Sequence, residues 1–215
     1  MSQKDKHIIF DLDGTLIDSS DSILDSFASA FKDCDIDLKR PLTESVIGPP
    51  LKVTLSLLSG TNDHAKLELL AKKFKANYDS FGYLNTKVYP GVSKMLDSLM
   101  RHNIVMHIAT NKRILPTLKI INHFGWDKYF VSIFSTDSIG KSNKSKEQVI
   151  QHVIKEHNTL NEVIYIGDTE EDMLASNNAK ILFVFAKWGY GSLNADQCLQ
   201  VSKPEEILDF IMSEN

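Results

Sequence analysis

Short apolar runs recur along the chain at His7–Asp13, Ile104–Thr110, Phe130–Ser135, Val163–Asp168 and Ile181–Ala186. Each has the length of a strand, is rich in Ile, Val or Phe, and ends in polar, small or acidic residues. Such runs suit strands of a parallel sheet covered on both faces. Helical spacing fills the intervals: Val92, Met95, Leu96 and Leu99, then Ile114, Leu118 and Ile121, then Val149, Val153 and Ile154. Alternating strands and helices predict an α/β fold, an open parallel Rossmann-like sheet with helices on both faces.

The first interval departs from that rhythm. After Asp13 the next core strand is expected only at Ile104, and two helical stripes lie between. Ile23, Leu24, Phe27 and Phe31 form one; Leu67, Leu70, Ala71, Phe74 and Tyr78 form the other. Ser19 or Ser20 is expected to cap the first helix. Gly48-Pro49-Pro50 interrupts the segment, since adjacent prolines exclude a regular helix interior. A helical insert at 17–86 therefore divides an α/β core made of 1–16 and 87–215.

Composition adds constraints. The 215 residues are 42% hydrophobic and 24% charged, the balance of a globular enzyme. A formal net charge of −4 argues against nucleic acid as a binding partner. Cys34 and Cys198 are far apart and lack a CxxC setting, so neither a disulfide framework nor a zinc site is expected. The polar start and the absence of a membrane-length apolar run give a cytoplasmic expectation with no membrane partner. Oligomeric state, monomer or homodimer, is left open.

Chemistry concentrates at strand ends. Asp11-Leu12-Asp13-Gly14-Thr15-Leu16 follows Ile8-Ile9-Phe10 directly. Two carboxylates there are costly to bury unless compensated, and a divalent cation with oxygen ligands, Mg²⁺, would compensate them and a bound phosphate together. Both acids would share one face if the strand ran on through Asp13. The plainer reading is an acidic turn with capping aspartates. A second acidic strand end, Gly167-Asp168-Thr169-Glu170-Glu171-Asp172, allows the same pair of readings, because carboxylates also suit a helix start. Thr110 and Asn111 end a third strand with neutral donors for phosphoryl oxygens, although both are common turn residues. Lys141, Lys144 and Lys146 crowd the loop before the helix of Val149, and most such lysines face water. Lys112 and Arg113 read as surface residues, with an anionic substrate tail as the other option. His107, inside an apolar run, reads as a satisfied core residue.

With these motifs in order, the chain resembles the haloacid dehalogenase-like superfamily of phosphohydrolases, in particular its phosphoglycolate phosphatase-like branch. The resemblance spans Ile8 to about Gly191, and Asp-x-Asp-Gly-Thr-Leu is its most specific part. It likens 17–86 to that branch's helical cap, and Trp188-Gly189-Tyr190-Gly191 to a loop after the last core strand. No GxGxxG or Walker A motif is present. The resemblance implies that Asp11 is the nucleophile and Asp13 the acid and base. Mg²⁺ would be held by Asp11, the Asp13 backbone carbonyl and Asp168, with Asp172 supporting through water or hydrogen bonds. Thr110 and Asn111 would position the phosphoryl group. A frequent Lys-Pro motif is absent; the register Lys146-Glu147-Gln148-Val149-Ile150 selects Lys146, with Lys144 second. The implied activity is Mg-dependent hydrolysis of a small phosphorylated metabolite, phosphoglycolate-like, through an aspartyl-phosphate. A phosphotransferase or sugar-phosphate mutase, and less favourably a receiver-type signalling module, are the alternatives.

Overall fold

A computed structural model describes residues 6–140, 144–159, 163–194 and 196–213. Its centre is a six-stranded parallel sheet in the order β5-β4-β1-β6-β7-β8. The strands are β1 (His7–Phe10), β4 (Val105–Thr110), β5 (Phe130–Ser135), β6 (Val163–Gly167), β7 (Leu182–Ala186) and β8 (Leu199–Val201). A separate antiparallel pair, β2 (Ile17–Asp18) with β3 (Lys87–Val88), joins the two ends of the insert.

The helices are α1 (Ser20–Asp33), α2 (Leu51–Ser59), α3 (His64–Tyr78), α4 (Val92–Arg101), α5 (Ile114–His123), α6 (Lys146–His157), α7 (Glu170–Asn178) and α8 (Glu206–Ser213). Strand alternation sends Ile8, Phe10, Met106 and Ile108 to one sheet face, against Leu96 and Leu99 of α4, Ile120 and Ile121 of α5 and Ile207 of α8. Ile9, Ala109 and Tyr165 go to the other face, under Val149, Ile150 and Val153 of α6 and Met173 of α7. Each such fully buried side chain contributes about 1.5–3 kcal/mol over its exposed state. The insert has its own apolar cluster: Phe27 and Phe31 of α1, Leu55 and Leu58 of α2, and Leu70, Phe74 and Tyr78 of α3. The Phe27 and Phe74 rings lie 4.5 Å apart between centroids.

Several expectations are corrected here. β1 stops at Phe10, so Asp13 lies beyond the strand and the alternation that would pair it with Asp11 does not reach it. On α5 the inward face carries Pro116, Thr117, Ile120 and Ile121, whereas Leu118 is exposed. Ser19 occupies the N-cap position of α1 without a side-chain cap bond; Asp18 Oδ1 instead accepts from the Ser20 amide at 3.0 Å and the Ser20 hydroxyl at 2.7 Å. Pro50 is the N-cap of α2, so the Gly-Pro-Pro segment starts a helix as well as interrupting the insert. β8, α8 and the β2–β3 pair had no counterpart in the hydrophobic pattern.

The strand order places the site. From β1 the chain builds β4 and β5 on one side, then crosses to build β6, β7 and β8 on the other. Connections therefore diverge between β1 and β6, leaving a crevice beyond their carboxyl ends, where ligands of open α/β sheets bind.

Candidate active site

Asp11 and Asp168 each follow one of the two strands flanking that crevice. The Asp11 amide donates to Ile166 O at 2.9 Å, so the β1–β6 ladder fixes the backbone that carries the carboxylate. Asp172, one helical turn beyond Asp168, belongs to a capping box on α7. Its amide donates to Thr169 Oγ1 at 3.2 Å, and its Oδ2 accepts from the Thr169 amide at 3.0 Å. The capping reading of this segment is thus correct, yet the same carboxylate also enters the site. Oxygens of Asp11, Asp168 and Asp172 lie within 4.8 Å of one another, all buried.

Lys146 is the first residue of α6, after the Ser145 N-cap, and its side chain is 2% exposed. Its ammonium lies 3.0 Å from Asp11 Oδ2 and also donates to Asp172 Oδ1. Burial alone would lower the lysine pKa, but the charges of Asp11 and Asp172 outweigh it and raise the pKa above its ordinary value. Lys144 is partly buried, and its amide donates to Thr136 O at 2.7 Å. Lys141 lies outside the described residues.

Three carboxylates against one ammonium leave the cluster short of positive charge. Burial pushes the Asp11 pKa up to about 6, partly countered by Lys146. Asp168 is raised well above the usual carboxylate range, by burial first and then by Asp172 and Asp11. Asp11 Oδ1 is buried without a hydrogen-bond partner. An unpartnered carboxylate oxygen on a cluster of three buried carboxylates, an all-oxygen donor set, fits a hard divalent cation such as Mg²⁺. Asp168 is held by Thr15 Oγ1 at 3.1 Å and the Tyr190 amide at 2.8 Å. Space around it is tight: a Cβ at Gly14 would come within 2.1 Å of Asp168 Oδ2, and one at Gly189 within 2.3 Å of Asp168 Cβ. Gly14 also has φ +83°, where a side chain is strained.

Asp13 turns away from this cluster. Its carboxylate accepts from Ser19 Oγ at 2.5 Å and takes the Lys112 ammonium on both oxygens at 3.0 Å. Lys112 donates in addition to Tyr78 Oη of α3 at 2.7 Å, with its side chain 5% exposed. The surface reading of Lys112 is therefore overturned, and with it that of Arg113, whose guanidinium binds both oxygens of Asp79 in the insert. A lysine after a Thr-Asn turn carries no spacing signal that separates this from a solvated charge. Only proximity to Asp13 in space reveals it.

Thr110 is buried at the end of β4, and its hydroxyl helps hold the Asp11 carboxylate in its charged form. The Asn111 amide group donates to Gly48 O at 3.0 Å and Glu171 Oε1 at 2.9 Å. It thereby ties the Gly-Pro-Pro loop of the insert to the core. Tyr190 closes the arrangement: Ser19 N donates to its hydroxyl at 2.8 Å, and that hydroxyl donates to Asp18 Oδ1 at 3.1 Å. Trp188 Nε1 donates to Thr15 O at 2.9 Å. The aromatic loop after β7 thus braces the turn that follows Asp11.

An open sheet with acidic residues converging at its topological switch, under a helical insert, defines a class, and the sequence family agrees. The chain belongs to the haloacid dehalogenase-like hydrolases, whose family model matches residues 8–186. It is 30% identical over 186 residues to the tyrosine-protein kinase PtkA of Mycobacterium tuberculosis, covering 86% of this chain and 62% of that protein. The chain thus spans less than two thirds of that relative's length. It is 28% identical to the phosphoglycolate phosphatase of Photobacterium profundum, over 95% of this chain and 91% of that one. The crystal structure of a predicted phosphatase from Clostridium acetobutylicum superposes with a TM-score of 0.86 at 27% identity, covering 97% of this chain and 98% of that chain. Among the described residues no helix is long and apolar enough to cross a membrane.

Proposed function

We propose that the protein is a Mg-dependent phosphomonoester hydrolase acting on a small phosphorylated substrate through a covalent aspartyl-phosphate. The observation that carries this reading is Asp11 itself. One oxygen is paired with Lys146, the other is buried and unpartnered, and the residue sits where the sheet opens a crevice. Asp11, Asp168 and the Asp13 backbone carbonyl are the proposed metal ligands, with Asp172 at hand through the same carboxylate cluster. Bound Mg²⁺ would offset the phosphate charge and the excess of carboxylates.

The chain's own groups divide the remaining work. An Asp11 oxygen attacks phosphorus, and the bond from phosphorus to the alcohol oxygen breaks. Asp13 gives its proton to that departing oxygen. It then takes a proton from water as the water oxygen attacks the aspartyl-phosphate, releasing inorganic phosphate and restoring Asp11. Lys146 keeps Asp11 ionised and offsets charge on the phosphoryl oxygens. Thr110 and Asn111 line the phosphoryl position. Residues 17–86, with their separate apolar cluster, are the proposed cap, covering the crevice and excluding water.

Rapid acid quench of a reaction with ³²P-labelled substrate tests the scheme. Label should appear on the protein and chase into free phosphate. EDTA should cut turnover by about a hundredfold or more, with Mg²⁺ restoring it. Undiminished turnover in EDTA would remove the metal. Label that passes to an acceptor hydroxyl instead of water would make the protein a phosphotransferase, the outcome the kinase relative keeps in view.

A further inference from the structure

Between the insert and the core lies a cavity of about 70 Å³, and Asp13 is one of its walls. Asn111, Lys112, Arg113 and Pro116 also line it from the core side, next to the phosphoryl position proposed above. The insert supplies Ile23, Phe27, Ile47, Leu51 and Phe74. A substrate whose phosphate meets Asp11 and whose bridging oxygen meets Asp13 would send the rest of its alcohol into this space.

The cations on the cavity wall are already engaged. Lys112 is held between both Asp13 oxygens and the Tyr78 hydroxyl, and Arg113 is clamped on Asp79. Thr54, another wall residue, spends its hydroxyl on Val46 O at 3.2 Å. A carboxylate entering here would lose water and find apolar side chains and no unengaged cation among the described lining residues. An apolar or aromatic group would lose little hydration and gain contact with Phe27, Phe74 and Ile23.

We infer that the leaving alcohol is apolar or aromatic, and that small carboxylated phosphates such as phosphoglycolate are poor substrates. This rests on the phosphatase reading and sharpens it. Selectivity resides in the apolar wall of the insert, and Leu51, at the first turn of α2 and partly exposed, is the position where charge enters with least disturbance.

Steady-state kinetics with benzyl phosphate, ethyl phosphate and phosphoglycolate test it, because all three release an aliphatic alkoxide and differ mainly in what the cavity must accept. kcat/KM should be highest for benzyl phosphate and exceed that for phosphoglycolate by about tenfold or more. Leu51→Arg should reduce that ratio by about tenfold, with the rate on benzyl phosphate falling and that on phosphoglycolate held or raised. A merely structural role for Leu51 would lower both rates together and leave the ratio unchanged, which counts against the inference. Phosphoglycolate preferred by the unaltered protein, with p-nitrophenyl phosphate turned over, overturns the inference alone. No turnover of any of the four esters overturns the phosphatase reading as well.

Discussion

An aspartate group and a histidine group beside the sheet are built on opposite principles. At the carboxyl ends of β1 and β6, Asp11, Asp168 and Asp172 crowd around Lys146 with excess negative charge and an unpartnered oxygen. His107 of β4 stacks on His7 of β1 and meets His157 at the end of α6. There His107 Nε2 is 3.0 Å from His7 Nδ1, and its Nδ1 is 2.8 Å from Ser132 Oγ. His107 is satisfied as a neutral ring, its pKa lowered to about 3 by burial and then by His157 and His7. Avoiding charge makes His107 part of the core. Concentrating charge without enough counter-charge sets the aspartate group apart from the core and underlies the proposal of a cation and a phosphate there.

Substitutions separate the two. Asp11→Asn should have the largest effect, a loss of turnover of about 10⁴-fold or more with unchanged circular dichroism. Near-normal kcat in that variant would break the contrast outright. Lys146→Met removes the one cation from the carboxylates. It should destabilise the protein by about 3–5 kcal/mol in urea titrations without Mg²⁺, and abolish measurable activity. Lys112→Met should also destabilise the protein, because Asp13 and Tyr78 lose a buried partner, and should lower kcat about 10- to 100-fold, since Asp13 loses the group that orients it.

His107→Asn should leave kcat unchanged and alter only the pH dependence of stability. The folded pKa of His107 lies below its unfolded value, so its contribution is present above pH about 6.5 and is lost as pH falls toward 3. Unfolding free energies from urea titrations should fall over that window by up to about 1.4 kcal/mol per pH unit in the parent and less steeply in the variant. Equal slopes would show that the histidines are not what titrates.

The aspartate cluster was largely legible in the sequence because Asp11 and Asp168 each close an apolar run, where a carboxylate is costly, and Asp172 lies one helical turn after Asp168. Lys146 was harder, since three lysines shared one loop and only helix register favoured it. Lys112, Arg113 and the partners of Asp13 were not legible. Their contacts bridge the insert and the core, Lys112 to Tyr78 being 34 positions apart, and no local period encodes such a meeting. β8 was missed because Leu199-Gln200-Val201 is three residues with a polar centre, too short to show alternation. β2 and β3, two residues each, carry even less pattern. Leu118 misled because its apolar spacing matched a helix stripe, whereas the buried face of α5 includes the less apolar Thr117 in its place.

The notch around Asp168 has a consequence for how this protein tolerates change. The carboxylate is confined by atoms that are missing, the side chains that Gly14 and Gly189 do not have. A single added methyl at either position would collide with the acid itself, more directly than removal of many larger neighbours would disturb it. In a saturation library the blank positions on either side of this aspartate should therefore be among the least forgiving, outlining the acid by what cannot be inserted there.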